Sequence, residues 1–431
     1  MRALLLSAFV LSACTATLPE SQYRCDVGGP SDQCPDGWRC VAGRCRSTTG
    51  DGGALDGGRE DAGDVDRNDA EIPDAGRPDG GLAPVEREPV AIVTPVPSEA
   101  GDRFGASISV RGRSMAVGAP SPGAPLEGGR VFVFGLEGGY AQVRLLELPA
   151  AVGRERLGAS VAVGEGMDVF AGAPGADTVY RFIETRAMAL TREGGELGAT
   201  VAFVGSGVIA AGAPTLDSAS IRDGSVYRIG FDGGDDAIVD RGGAAQAGER
   251  FGSALAADEA TGRLAATAAP EEDSSAPGYV VVDSPAGATL RIEHGGAGFG
   301  RSVALLSGQV AVGAEDQVHL FDADTGAAIG VIDAPETGGD FGAALCARDG
   351  WLVVGAPAAG AGAAHVYRVA DRAHVARLLA PPGVSELGAA CAVIGDMAYV
   401  GAPGSGDSGR VVVYALEEGG PLPAPGPGEA R

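Results

Sequence analysis

From Ala106 onward apolar and polar positions alternate with a period of two, the spacing of half-buried strands rather than helices. The stretch ASISV from Ala106, a short turn at Arg111-Gly112-Arg113 and SMAVGAP from Ser114 predict two strands joined by a tight hairpin. VFVF from Val131 predicts a third strand and VRLLEL after Tyr140 a fourth. The same order then recurs. An aromatic residue or Leu followed by Gly returns at Phe104-Gly105, Leu157-Gly158, Leu197-Gly198, Phe251-Gly252, Phe299-Gly300, Phe341-Gly342 and Leu387-Gly388, at intervals of 53, 40, 54, 48, 42 and 46 residues. Downstream of each pair stands Gly-Ala-Pro, intact at Gly118, Gly172, Gly212, Gly355 and Gly401 and altered to Ala268-Ala269-Pro270 and Gly313-Ala314-Glu315. A β-branched or aromatic run follows in every copy, from Val131, Val179, Val226, Val280, Val318, Val366 and Val411.

Four short strands per unit and seven units of this length predict an all-β protein, a seven-bladed β-propeller. The Gly and small residues of the two motifs suit places where wedge-shaped blades crowd together, because only a residue without bulk permits that backbone approach. The last copy ends at Leu416, before a Pro-rich tail, and lacks a fourth strand. Val90–Val96 (VAIVTPV) stands unpaired ahead of the first copy, so it is expected to complete blade seven and remove an open edge.

Repeated seven times in register over residues 90–417, the motifs resemble the FG-GAP repeat of integrin α-chain propellers and of bacterial surface proteins. That resemblance implies ligand binding on the face carrying the loops after Gly-Ala-Pro and before Phe/Leu-Gly. Integrin-type repeats also carry an Asp-x-Asp-x-Asp-Gly calcium loop between the first two strands. Here those turns include Arg111-Gly112-Arg113, Gly164-Glu165-Gly166 and Arg348-Asp349-Gly350, none with three alternating carboxylates, so no metal and no cofactor is expected. Asp322-Ala323-Asp324-Thr325-Gly326 follows a third strand and reads as a hairpin turn.

Upstream of the repeats the chain changes character. Met1–Cys14 (MRALLLSAFVLSAC) has a basic start and an apolar stretch that, as a helix of about 12 residues, reaches roughly 18 Å of a ~30 Å hydrocarbon core. It reads as a signal peptide over residues 1–13 rather than a membrane span. Leu11-Ser12-Ala13-Cys14 resembles the lipobox of bacterial lipoproteins, which implies a lipid on Cys14 and anchorage in the cell envelope, the outer membrane being favoured by Thr15. Within residues 14–47, Cys25, Cys34, Cys40 and Cys45 fall in a segment too short to bury a core. In an oxidising compartment they read as two disulfides of open connectivity. Cys346 and Cys391 lie in apolar strand patterns and are expected to be small buried hydrophobes. Residues 48–88 form an Asp/Gly-rich stretch with ten acids against three Arg between Asp51 and Gly80, expected to be a disordered spacer ahead of the propeller at 89–417 and a tail at 418–431.

Composition narrows the partners. Acidic residues number 57 against 32 basic ones, all Arg, for a net charge of −25, which argues against nucleic acid. The four His are scattered, and His319 stands in the slot held by Phe132, Tyr180, Tyr227 and Tyr367, where packing is expected. No nucleophile elbow, phosphate loop or His-Glu-x-x-His occurs. Asp102, Glu155, Glu196, Glu249, Asp340 and Glu386 precede the Phe/Leu-Gly pairs in six copies and read as repeat structure. The most variable loops of the implied binding face nominate Glu127, Asp217, Arg222, Asp223, Glu271, Glu272 and Asp273. The expectation is a monomeric, non-enzymatic surface lipoprotein whose propeller binds or scaffolds a protein or envelope polymer. The alternative is a polysaccharide hydrolase using two carboxylates.

Overall fold

The alternation becomes seven four-stranded antiparallel sheets in a computed structural model, which describes residues 38–41, 44–47, 84–120, 128–148, 154–192, 194–234, 237–270, 276–285 and 287–417. Contacts divide the chain into two units, Met1–Arg77 and Pro78–Arg431. In the first, Trp38–Val41 pairs with Arg44–Ser47 and sets Cys40 opposite Cys45. Cys25, Cys34 and the Cys14 expected to carry the lipid lie outside the described residues, and of Cys40 and Cys45 only the backbone is described, so the expected disulfides are not among the described features.

In the second unit each blade runs from an innermost strand outward. Blade one is Ser107–Arg111, Ser114–Ala119, Arg130–Gly135 and Gln142–Leu146. The innermost strands of the others are Ser160–Val163, Thr200–Gly205, Phe251–Asp258, Ser302–Leu306, Ala344–Arg348 and Ala390–Ile394. Each touches the next around the ring, including Ala390–Ile394 against Ser107–Arg111. Blade seven is completed by Ala91–Val93, which pairs antiparallel with Arg410–Ala415 so that Val93 faces Val411. The chain also reaches further back than its motifs indicate. Val85–Arg87, within the stretch read as spacer, adds a fifth, parallel strand to blade six beside His374–Leu379.

The core lies between blades rather than within them. Seven clusters of buried side chains occupy the seven interfaces, one each. The Phe or Leu of every Phe/Leu-Gly pair is at most 1% exposed, a burial worth ~1.5–3 kcal/mol per side chain. The Gly that follows has a left-handed φ, and at Gly105 (φ +93°) a Cβ would stand 2.5 Å from the Arg410 carbonyl oxygen of blade seven. Only Gly fits there.

A hydroxyl tie crosses the same interfaces. Ser107 Oγ, Ser160 Oγ, Thr200 Oγ1 and Ser302 Oγ each donate from an innermost strand to the carbonyl of the next blade's paired Gly, at 2.7–2.8 Å. Blade four has Ala254 in that place, and Thr267 supplies the hydroxyl from the second strand. The Gly slot of its altered Gly-Ala-Pro is therefore Thr267, one residue before the position that sequence alignment assigns. Blades six and seven have Ala344 and Ala390 and no such hydroxyl. Their innermost strands are joined instead by a disulfide between Cys346 and Cys391, Cα atoms 5.8 Å apart. This corrects the expectation of two free buried thiols. Consecutive blades present opposite sheet faces to each other, and Cys346 lies two residues past Ala344 whereas Cys391 lies one past Ala390, so the two thiols meet.

Candidate functional site

Antiparallel order puts the first-to-second and third-to-fourth turns at one end of the ring and the loops after Gly-Ala-Pro and before Phe/Leu-Gly at the other, the upper face. On that face the loop after Pro214 is built around Asp223, whose side chain is fully buried. Its carboxylate accepts from Ser218 N–H and Ser218 Oγ, both at 2.7 Å, from Ala219 N–H at 3.0 Å and from Arg241 Nη1 at 3.2 Å. Burial pushes the Asp223 carboxyl upward, but the Ser218 and Ala219 donors and Arg241 outweigh it and hold it below the usual carboxylate range. Arg241 also bonds Glu249 at 2.5 Å, and Glu249 accepts from the Tyr279 hydroxyl at 3.0 Å. Two buried carboxylates thus share one guanidinium. The loop is further laid along the next connection, with Gly248, Arg250 and Phe251 N–H groups donating to the carbonyls of Ile221, Arg222 and Asp223.

The result is a rigid rim bounding a cleft of about 590 Å³ lined by Glu196, Thr215, Asp217, Ile221, Arg222 and Arg250. Asp217 accepts from Arg222 N–H at 2.7 Å, and Ile221 stands 69% exposed at the tip. Of the residues nominated from sequence, Asp217 and Arg222 line this cleft, while Asp223 is the internal brace that shapes it. Glu127, Glu271, Glu272 and Asp273 lie outside the described residues. Thr215, Ile221 and Arg250 were not singled out. Arg250 had a signal: it immediately precedes a Phe-Gly pair, and that position is left-handed in all seven copies, φ 55–68° from Arg103 to Gly298. The side chains of six of these residues, Gly298 having none, form a crown on the upper face.

The acids ahead of the pairs carry out local structural work. Asp102 is fully buried, accepts from Glu99 N–H and lies 4.0 Å from Arg130. Glu196 pairs with Arg156, Asp340 with Arg301 and Glu386 with Arg103. At the opposite end, the first-to-second-strand turn of blade four carries Glu259, which reaches Arg111 of blade one at 2.9 Å and Arg348 of blade six at 3.5 Å. One carboxylate ties three blades beside the central channel, where the innermost strands of blades one to six line a cavity of about 650 Å³. Asp322 caps a hairpin turn, accepting from Asp324 and Thr325 N–H groups.

The four His form two contacts. His294 of blade four packs tilted against His319 of blade five at 4.3 Å between ring centres, and His365 Nδ1 lies 3.2 Å from His374 Nε2 within blade six. Register places His365, opposite Val354, in the aromatic slot of blade six, so Tyr367 sits two residues beyond it. Both His of that slot pack on a paired Phe, Phe299 or Phe341. Burial and then its neighbour His374 push His365 down to about 4, and burial also lowers His319 and His374. Among the described residues no three His, Cys, Asp or Glu side chains converge as a metal-ligand set, and no helix is long and apolar enough to cross a membrane.

No family model and no curated protein sequence matches the chain. Among solved structures, selenomethionine-substituted virginiamycin B lyase from Staphylococcus aureus is similar, with a TM-score of 0.54 over 73% of this chain and 95% of that one at 10% identity. At that identity the likeness shows a shared fold and nothing of the chemistry.

Proposed function

We propose that the chain is a tethered, non-catalytic binding module of the bacterial cell envelope. In this reading Cys14 carries the lipid anchor, the Asp/Gly-rich stretch ahead of Val85 holds the propeller away from the membrane, and the upper face engages a protein or envelope polymer. The resemblance of the repeat to FG-GAP propellers favours that face. The Cys346–Cys391 disulfide favours an oxidising compartment, since cytosolic thiols are kept reduced. One observation carries the reading: a braced loop holds an open cleft at blades two to four, and the buried carboxylates beside it are consumed by Arg241 and Tyr279 rather than presented as an acid–base pair.

The test is a screen of the whole chain against envelope polysaccharides and proteins, with Ile221→Asp as the face control and product analysis alongside. The reading expects a ligand that is bound unchanged and whose affinity falls about tenfold or more in the variant, the loss typical of a central interface residue. A ligand that is cleaved, or one indifferent to Ile221→Asp, would overturn it.

A further inference from the structure

The charged residues of the crown preceding the Phe/Leu-Gly pairs are nearly all ion-paired. Arg103 pairs with Glu386 at 3.3 Å, Arg156 with Glu196 at 3.5 Å, and Asp340 with Arg301 at 2.6 Å. Arg250 is the exception. Its backbone is fully engaged, N–H to the Arg222 carbonyl and carbonyl to Ser253 Oγ, but its guanidinium has neither ion pair nor hydrogen bond among the described residues. Its Nε is buried without an acceptor. The next crown position, in blade five, is Gly298 and brings no acid.

Resting on the binding reading above, we propose that this cleft takes a carboxylate-bearing saccharide, a uronic-acid unit of an acidic polysaccharide, with the carboxylate seated on Arg250. The guanidinium fork matches a carboxylate bidentately and offers no acceptor, so its natural complement is an anion. The lining adds a second guanidinium at Arg222, and its other polar groups supply the reverse. The carboxylates of Glu196 and Asp217 and the hydroxyl of Thr215 accept hydrogen bonds, as the hydroxyls of a sugar ring require. Ile221 is the one apolar side chain of the lining and no aromatic joins it, which disfavours a peptide anchored by a large side chain. The overall charge of −25 opposes an anion at long range, but that field is screened beyond ~10 Å in 0.1 M salt, leaving the charges of the cleft itself, Arg222 and Arg250 against Glu196 and Asp217, to decide.

Calorimetric titration of the whole chain with tetragalacturonate, its methyl ester and triglutamate tests this, with Arg250→Gln and Arg250→Lys beside wild type and circular dichroism to confirm folding. The methyl ester keeps every ring hydroxyl and removes the charge. Wild type is expected to bind the acid about tenfold or more tighter than the ester, and Arg250→Gln to lose that preference, its affinity for the acid falling far more than its affinity for the ester. Arg250→Lys should retain part of it. Equal binding of acid and ester, an acid affinity unmoved by Arg250→Gln, a preference for triglutamate, or no binding of the acid by wild type would each overturn the proposal. The binding reading would survive any of these if the screen yields another ligand lost in Ile221→Asp, and would fall with it if none appears.

Discussion

Thr267 Oγ1 donates to the Gly300 carbonyl at 2.6 Å and accepts from Ala254 N–H at 3.0 Å, performing from the second strand of blade four what Ser107, Ser160, Thr200 and Ser302 perform from the first strand of theirs. The side chain is fully buried. Blade four has therefore exchanged the positions of its hydroxyl and its small residue while keeping the tie to the next blade.

Thr267→Ala should leave both the Gly300 carbonyl and the Ala254 N–H unmet in a dry interface, at a cost of ~1–3 kcal/mol. Thr267→Ser should restore most of it. The double change Ala254→Ser with Thr267→Gly rebuilds the arrangement of the other blades and is expected to be more stable than Thr267→Gly. Urea unfolding midpoints measure all four, and equal midpoints for Thr267→Ala and wild type would refute the tie.

The disulfide stands where the hydroxyl tie is missing. With Cys346 and Cys391 separated by 45 positions in sequence, loop-closure entropy predicts about 4 kcal/mol of stabilisation, an upper figure because the unfolded chain is not a random coil. The Cys346→Ser, Cys391→Ser pair should lower the unfolding midpoint, and dithiothreitol should lower wild type to the same value without affecting the variant. Peptide mapping without reductant should find Cys346 joined to Cys391.

Much of this architecture can be read from the chain because strand period and motif spacing are local signals repeated seven times. Residues 90–96 announce the closing strand by being apolar and rich in β-branched residues where no repeat claims them. Val85–Arg87 sends no such signal: Val-Glu-Arg is short, charged and followed by Glu88-Pro89, and its pairing is fixed by the edge of blade six rather than by its own pattern. The Cys346–Cys391 contact depends on which faces of two sheets meet, which requires strand register. The cleft is less legible still. Asp217 and Asp223 look alike in sequence, yet the fold turns one outward and buries the other beneath Arg241.

That difference makes a contrast. Asp223→Ala removes the acceptor for Ser218 and Ala219 and leaves Arg241 with a single carboxylate, so the loop should lose its shape and the protein ~2–4 kcal/mol. Asp217→Ala should cost under about 1 kcal/mol, because its partner N–H is exposed to water. Thermal unfolding separates the two, and amide exchange at Ser218 and Ala219 should rise only in the first.

Acid should weaken blade six through its His pair. His365 is 2% exposed and is held near 4, whereas an unfolded His titrates near 6.5, so the unfolded chain takes up the proton first. Stability is therefore complete above about pH 6.5 and is lost as pH falls toward 4, by up to ~3 kcal/mol from this group. His365→Phe, which installs the residue that Phe132 provides in blade one, should cost some stability at pH 7 by unpairing His374 but flatten the slope between pH 6.5 and 5. Unfolding free energies across that window measure the slope, and an unchanged one would exclude His365 as its source.

The closing strand offers the sharpest separation, because two adjacent residues face opposite ways. Val93 is 5% exposed and packs into the interface of blades seven and one beside Val411 and Val413, while Ile92 is 43% exposed on the other face of the same strand. A carboxylate at Val93 would be buried in an apolar cluster without a partner, so Val93→Asp is expected to cost about 3–4 kcal/mol. Ile92→Asp keeps the same backbone hydrogen bonds and puts its charge in water, and should fall within ~0.5 kcal/mol of wild type. Deleting residues 1–94 removes the strand altogether and uncovers the ladder groups of Arg410–Ala415. An open edge pairs readily with another, so this truncation should be less stable and should also self-associate, seen as a concentration-dependent mass in light scattering. Equal stability of Val93→Asp and Ile92→Asp would mean that the ring is held shut without this strand, and the truncation would then remain monomeric.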